Sequence, residues 1–144
     1  MAGDLIGHDA VGNQTSRPGV AITYTAFDLP SSVTRDGFGT ATFSYDGHQQ
    51  RIRKVTPLAE TVYVGDLYER VTPADPTQPV EHRYSIYNGE RLVASVTRKS
   101  GALDETRYVH SDHLGSIDVL NDEAGAVKER RSYDAFGARR SEVW

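Results

Sequence analysis

One cluster in the sequence has the residue types of a metal site. His110, Asp112 and His113 lie close together, and Asp118 follows a short way downstream. Imidazole nitrogens and carboxylate oxygens are ligands for Zn²⁺ and related ions. However, the cluster falls where a strand runs into a turn, and a His-x-x-His spacing there does not direct both rings to one side. We therefore predict no metal centre and retain His110, Asp112 and His113 as the candidate ligands.

Acidic residues recur along the chain and suggest paired-carboxylate catalysis. Asp46 with Asp66 or with Asp134 would form such a pair. Their recurrence at matching positions instead favours a separate turn-capping role for each, because one catalytic dyad needs no copies. Ser, His and Asp are all present, but the Gly-x-Ser-x-Gly phrase of a nucleophile elbow is absent. We predict no enzymatic activity and no cofactor.

Tyrosines recur at residues 24, 45, 63, 84, 108 and 133. A solvent-facing row of rings would form a stacking surface for sugars. Rings packed across strands would instead stabilise a sheet by roughly 0.2–1 kcal/mol per pair. We prefer the packing interpretation, and a carbohydrate- or cell-surface-binding repeat module remains the alternative.

The composition favours a sheet protein. Of 144 residues, 38% are hydrophobic, with 8 Tyr, and the 13 Gly and 6 Pro suit many short elements joined by turns.

The formal net charge of −4 gives no basic face for nucleic acid. The absence of Cys excludes disulfides and thiolate metal sites. No signal peptide and no membrane-spanning apolar stretch is visible.

Two-residue alternation broken by turn residues is the dominant pattern. Residues 80–86 place His82, Tyr84 and Ile86 on one face, and Asn88-Gly89 is suited to a tight hairpin leading into 91–98. The Pro-rich residues 73–79 predict an exposed loop. Further strands are predicted at residues 21–26, 40–45, 61–64, 67–71, 106–110, 117–120 and 127–133, with turns at 65–66, 112–115 and 121–125.

A phrase of an aromatic residue followed by Asp and a turn recurs along the chain. It opens at Tyr45-Asp46 and Tyr133-Asp134, at His8-Asp9 with His in the aromatic place, and in degraded form at Tyr24. A repeat of this length holds two strands and two turns, and one hairpin cannot bury its own apolar face. We predict an all-β architecture: one curved antiparallel sheet of about ten short strands, built from stacked hairpins, with little helix.

These phrases resemble the YD repeats of the Rhs family. Residues 108–116, 121–127 and 133–137 together resemble the segment that leads into the Rhs core. The resemblance implies that Asp112 accepts backbone N–H bonds and that Gly115 takes a conformation that other residues avoid. The repeat residues that carry it are His8, Asp9, Gly12, Tyr45, Asp46, Tyr108, Asp112, His113, Leu114, Gly115, Tyr133, Asp134, Phe136 and Gly137.

The resemblance also implies a role. Rhs proteins, Tc toxin subunits and teneurins build hollow β-shells, so we expect a structural wall segment that helps to enclose a C-terminal toxin or effector. We expect residues 1–107 to be repeat hairpins and 108–144 to lead into the core, as one continuous domain. The chain is short for a shell and ends before the family's self-cleaving aspartates, so no protease role is carried over. Expected partners are further shell segments or another copy, joined at open sheet edges, and a toxin cargo. The family places the protein in the bacterial cytoplasm before export, or at the cell surface or secreted.

Overall fold

The computed structural model describes residues 6–134 and 137–140 as an all-β fold. Thirteen strands form an antiparallel sheet in which the strand order follows the chain, and the described residues contain no helix. The prediction of an all-β antiparallel sheet of stacked hairpins is confirmed. The strand number exceeds the predicted ten because short or weakly apolar strands, such as the one at Pro30–Arg35, carry little alternation.

The chain divides into two compact units. The first runs to Gly65 and includes Arg70–Val80, and the second contains Asp66–Glu69 and the residues from Glu81 onward. The strands of the first unit are β1 (Gly7–His8), β2 (Gln14–Arg17), β3 (Val20–Tyr24), β4 (Pro30–Arg35), β5 (Gly39–Tyr45), β6 (Arg51–Val55) and β7 (Ala59–Val64). Strand β8 (Tyr68–Pro73) is shared, and the second unit holds β9 (Glu81–Asn88), β10 (Arg91–Lys99), β11 (Glu105–Ser111), β12 (Ile117–Asn121) and β13 (Val127–Arg130).

The first unit separates apolar from hydroxyl side chains across its sheet. Val33 pairs with Ile22 on one side and with Ala41 on the other, so these three share a face. The opposite face carries the pair Thr34 and Thr40, whose hydroxyls are 2.9 Å apart. This division is the period-two pattern of a sheet with one apolar face.

In the second unit the predicted alternation of the β9–β10 hairpin is confirmed for Tyr84, Ile86, Ala94 and Val96, but Leu92, which strict alternation would place with Ala94 and Val96, pairs with Tyr87 on the other face. Tyr84 pairs with Val96 and Ile86 pairs with Ala94, which places all four on one face. A register shift between Leu92 and Ala94 was not predicted. Such a bulge adds a residue to one strand and increases the local twist.

The described residues of each unit form no second layer behind its sheet. Within each unit, strands contact their neighbours in sequence, and the buried side chains among the described residues are Thr61, Ala94 and Leu120. A sheet with one apolar face ordinarily packs that face against another element. The described residues therefore leave this face half-buried.

The Pro-rich stretch after β8 is exposed, as predicted, although it begins one residue later than expected. Pro73 is the last residue of β8, and residues 74–79 are exposed. Proline is tolerated at a strand end because it needs no ladder donor there. The described residues include no helix long and apolar enough to cross a membrane.

Candidate functional site

A five-residue turn, which begins with an aspartate in five of its six described copies, recurs along the chain. In the copy at Asp112, the carboxylate Oδ1 accepts the backbone N–H of Leu114 and of Ser116, both at 2.9 Å. The N–H of Asp112 donates to the carbonyl of Ser116 at 2.9 Å, and that of Gly115 donates to the carbonyl of Asp112 at 3.1 Å. Gly115 has φ +88°, where only glycine is unstrained. The resemblance-based expectation for both residues matches this geometry.

The same turn recurs in both units, and we call it the Asp turn. In each copy the first residue accepts backbone N–H groups from the third or fifth residue, or from both, and the fourth residue has positive φ. The first residues are Asp9, Thr25, Asp46, Asp112, Asp122 and Asp134, and the fourth residues are Gly12, Asp28, Gln49, Gly115, Gly125 and Gly137.

A bulge accompanies each Asp turn whose flanking ladder is described. Around Asp112, Ser111 pairs with Ile117 while His110 pairs with Val119, so Asp118 is the extra residue. The corresponding extra residues of the other copies are Thr15, Ile52 and Lys128, with Ser31 in the Thr25 copy. Tyr133 and Arg139 form the matching closing bridge of the Asp134 copy. Turn and bulge are thus one structural unit with fixed spacing.

Two tyrosines tie each Asp turn of the first unit to the next. The hydroxyl of Tyr24 donates to the carbonyl of Gln14 at 2.8 Å, and that of Tyr45 donates to the carbonyl of Pro30 at 2.8 Å. Gln14 and Pro30 each follow directly after the preceding Asp turn. Because both hydroxyls bond to backbone and both rings are half-buried, these tyrosines serve the fold.

Side chains of neighbouring turns also bond directly. Asn13 Nδ2 donates to Asp9 Oδ2 at 3.1 Å and to Asp28 Oδ1 at 2.9 Å. Desolvation raises the pKa of Asp9, but the hydrogen bonds from Asn13 and the turn backbone outweigh it, and the pKa lies below its ordinary value. The turn therefore favours the ionised carboxylate.

The candidate metal ligands occupy structural positions. His110 is an exposed residue of β11, the carboxylate of Asp112 caps its own turn, and His113 is exposed on that turn. Among residues 6–134 and 137–140, no group of three or more ligating side chains is arranged to hold a metal ion. Of the candidate carboxylates, Asp46 and Asp134 each begin an Asp turn, where each accepts a backbone N–H of its own turn.

A strip of alternating charges crosses one face of the second unit. Glu81 bonds Arg83 at 2.6 Å and Lys99 at 2.7 Å. Glu129 bonds Arg131 at 2.9 Å and Arg139 at 2.8 Å. We call the set the charged strip: Glu69, Glu81, Arg83, Lys99, Glu105, Arg107, Glu129, Arg131 and Arg139.

Two glutamates of the charged strip, Glu81 and Glu129, are held ionised by their neighbours. The hydrogen bond from the Arg131 guanidinium, with the nearby charge of Arg139, holds the pKa of Glu129 below its ordinary value. The Lys99 ammonium, with Arg83, does the same for the pKa of Glu81. Charges paired in this way leave little net field for a charged ligand.

Three tyrosines of the second unit, Tyr84, Tyr87 and Tyr108, are more exposed than Tyr24 and Tyr45. Tyr84 is 37% exposed and Tyr108 is 46% exposed on the same face of the second unit. Tyr68 bonds His82 Nδ1 through its hydroxyl at 2.7 Å, and its ring lies 5.2 Å from that of Tyr84. The tyrosines are thus divided between hydrogen-bonded packing and partial exposure, and they do not form one uniform solvent-facing row.

The structure locates the predicted repeat residues at turns and strand ends, except for Tyr108, which lies in the middle of β11. His8 precedes the Asp9 turn, Leu114 is exposed at a turn, and Gly137 has φ +81°. Phe136 lies outside the described residues. Sequence reasoning missed Thr25 and Gln49, whose roles follow from their spacing within the repeat.

Comparison with known proteins gives a structural likeness without a sequence one. No protein-family profile and no curated protein matches the chain. A structure of the Photorhabdus luminescens Tc holotoxin pore matches with a TM-score of 0.77 at 16% identity, covering 92% of this chain. A crystal structure of TcdB2-TccC3 matches with a TM-score of 0.76 at 17% identity over 92%. A TcdB2-TccC3 structure without the hypervariable C-terminal region matches at 0.70 and 15% over 85%.

This chain spans 7% of the length of each of those matched chains. At such low identity the likeness shows the fold. The chain has the fold of a segment of these Tc toxin structures, which supports the Rhs-type fold that the sequence phrases resemble.

Proposed function

We propose that the chain is a structural wall segment of an Rhs-type β-shell that encloses a toxin or effector. The observation that carries the proposal is a single-layer sheet with an apolar face and hardly any buried side chains of its own. Such a sheet is poorly suited to act alone, because an unpaired edge and an exposed apolar face favour association. As part of a larger wall, both would be covered.

The repeated Asp turn supports the same role. Each copy fixes hairpin register locally, through bonds within five residues and a bulge at constant spacing. Stacking such hairpins extends a wall without a central core, as in other repeat proteins. The mechanism is exclusion: paired strands block the passage of an enclosed chain.

The role requires neither catalysis nor a cofactor. The carboxylates of Asp46 and Asp112 accept backbone N–H groups in their own turns, and the ions of the charged strip bond one another. We propose a non-enzymatic scaffold whose partners are further shell segments, another copy of this chain, and an enclosed cargo.

A segment exchange tests the proposal. This chain would replace its structural counterpart in TcdB2-TccC3, and protease protection of the C-terminal region would be measured. We expect the chimera to protect that region about as well as the parent does. Re-insertion of the parent segment through the same junctions controls for the joints. A chimera that is soluble and assembled but leaves the C-terminal region open to protease would contradict the proposal.

A further inference from the structure

A notch separates the tips of two hairpins in the second unit. The β10–β11 ladder runs from Thr97 and Glu105 to Ala94 and Tyr108 and ends there. The β9–β10 ladder continues to Asn88, and the β11–β12 ladder continues to Ser111. Among the described residues, the β10–β11 ladder therefore does not include residues 91–93 of β10 or residues 109–111 of β11.

Local sequence produces this separation. The bulge between Leu92 and Ala94 lies on β10, and the bulge that accompanies the Asp112 turn lies on the β11–β12 hairpin. Each bulge bends its hairpin and adds twist. Because both flank the end of the β10–β11 ladder, the two tips diverge there.

The notch is a cleft with apolar and polar walls. Its volume is about 530 Å³, within the range of small-ligand and peptide sites. Tyr87 in its wall is 38% exposed, and Leu114 on the adjoining turn is 79% exposed. A Cβ added at Gly115 would meet nothing within 4 Å, so that side is open. The lining residues are Tyr87, Asn88, Glu90, Arg91, Leu92, Ser111, Gly115 and Ile117.

We propose that the notch binds an extended peptide segment, which adds as a strand alongside β10. Backbone N–H and C=O groups require hydrogen-bond partners, and an extended peptide supplies both in strand spacing. Tyr87, Leu92 and Ile117 offer contact to alternate apolar side chains. Glu90 and Arg91 form no ion pair among the described residues, so the mouth complements a peptide with one basic and one acidic end. The site lies within one unit and does not depend on the shell proposal.

Fluorescence anisotropy with the full 144-residue chain tests the site. The probe is a labelled six-residue peptide of alternating Val and Thr, flanked by Lys and Glu. We expect saturable binding that Tyr87→Ser weakens by about tenfold. Leu103→Ser is the matched control, because Leu103 is 94% exposed and is not part of the notch. Circular dichroism would check that both variants fold.

Two further peptides, one N-methylated at the odd-numbered amides and one at the even-numbered amides, test the strand pairing itself. Alternate N–H groups of an extended strand point to opposite edges, so we expect the peptide methylated on the edge that faces β10 to bind about tenfold more weakly than the other. Absence of saturable binding, equal binding of the two methylated peptides, or equal loss in Tyr87→Ser and Leu103→Ser would each overturn the proposal. All three outcomes leave the segment-exchange result unaffected, so the two proposals fail separately.

Discussion

The fourth residue of each Asp turn adopts positive φ, so its identity determines how much backbone strain the turn carries. Four copies have glycine there, whereas Asp28 and Gln49 adopt φ +61° and +63°. An L-residue in this region is strained by about 1–2 kcal/mol relative to its ordinary conformations. In the Asp46 copy, glycine stands two positions too early, at Gly47, where it does not relieve the strain.

We predict that Gln49→Gly stabilises the first unit by about 1 kcal/mol. The matched change in the opposite sense, Gly12→Ala, should destabilise the same unit by about 1–2 kcal/mol. Gly12 has φ +96° and an added Cβ would meet nothing within 4 Å, so the cost would come from the backbone alone. Urea unfolding midpoints measure both. A Gln49→Gly midpoint at or below that of the parent would contradict the assignment of strain.

The carboxylate of Asp46 is predicted to stabilise its turn through two backbone donors. His48 and Gln50 both donate to Asp46 Oδ1 at 2.9 Å. Asp46→Ala should lower the free energy of unfolding by about 1–2 kcal/mol, and Asp46→Asn by less, because the amide oxygen still accepts. Unfolding in urea would compare the two. Equal losses would show that negative charge, not the acceptor, matters.

Sequence reasoning predicted the Asp turns where Asp and Gly both occupy their positions, as at Asp9 and Asp112. It missed the roles of Thr25 and Gln49, because a hydroxyl can replace the carboxylate and a non-glycine residue can be forced to positive φ by its neighbours. The spacing of the repeat identifies the turn positions of Thr25 and Gln49, whereas the identity of each residue alone does not.

Gly39, at the start of β5, lies so close to Pro57 that a side chain at residue 39 would not fit. A Cβ at Gly39 would lie 2.7 Å from Cγ of Pro57, in the turn between β6 and β7. At Gly37, in the turn that precedes β5, a Cβ would meet nothing within 4 Å. Both have positive φ, so they differ chiefly in this contact.

We predict that Gly39→Ala destabilises the first unit by about 2–3 kcal/mol, and Gly37→Ala by about 1 kcal/mol. Adding Pro57→Ala to Gly39→Ala should recover about 1 kcal/mol, which a double-mutant cycle in urea would measure. A coupling energy of zero between residues 39 and 57 would rule out contact between these turns.

The charged strip should make stability depend on pH. Because the pKa of Glu129 is depressed in the folded state, the unfolded chain binds more protons in acid. Its contribution is present above the unfolded pKa of about 4.3 and is lost as pH falls through the lower folded value. Below about pH 4.5, the thermal midpoint of Glu129→Gln should therefore decrease less steeply with falling pH than that of the parent. Glu123→Gln, an exposed carboxylate without an ion pair among the described residues, is the control. An unchanged slope in Glu129→Gln would contradict the pairing.

The hairpins were predictable where the turn type was specific. Asn88-Gly89 and the alternation of Tyr84 and Ile86 placed the β9–β10 hairpin to within about two residues. The bulge after Leu92 and the strand at Pro30–Arg35 were not predictable, because neither has a local hydrophobic signature. The notch depends on this bulge and on the bulge at the Asp112 turn, so it could not be predicted from the sequence.

The chain as a whole gains little of its stability from a core. Among the described residues only Thr61, Ala94 and Leu120 are buried, and the strand ladders within each unit join neighbours in sequence. Strand ladders, Asp turns and tyrosine bonds therefore supply stabilisation beside that of the half-buried apolar side chains. A wall segment can have this construction, because neighbouring segments cover what it leaves exposed.

If this sheet requires partners, the solution mass of the purified chain will reveal them. Size exclusion with light scattering across a range of concentration should give masses above the 15.9 kDa of one chain that rise with concentration. A mass of 15.9 kDa at every concentration would contradict the account. The chain would then satisfy its own edges and apolar face, and the wall-segment role would lose its physical basis.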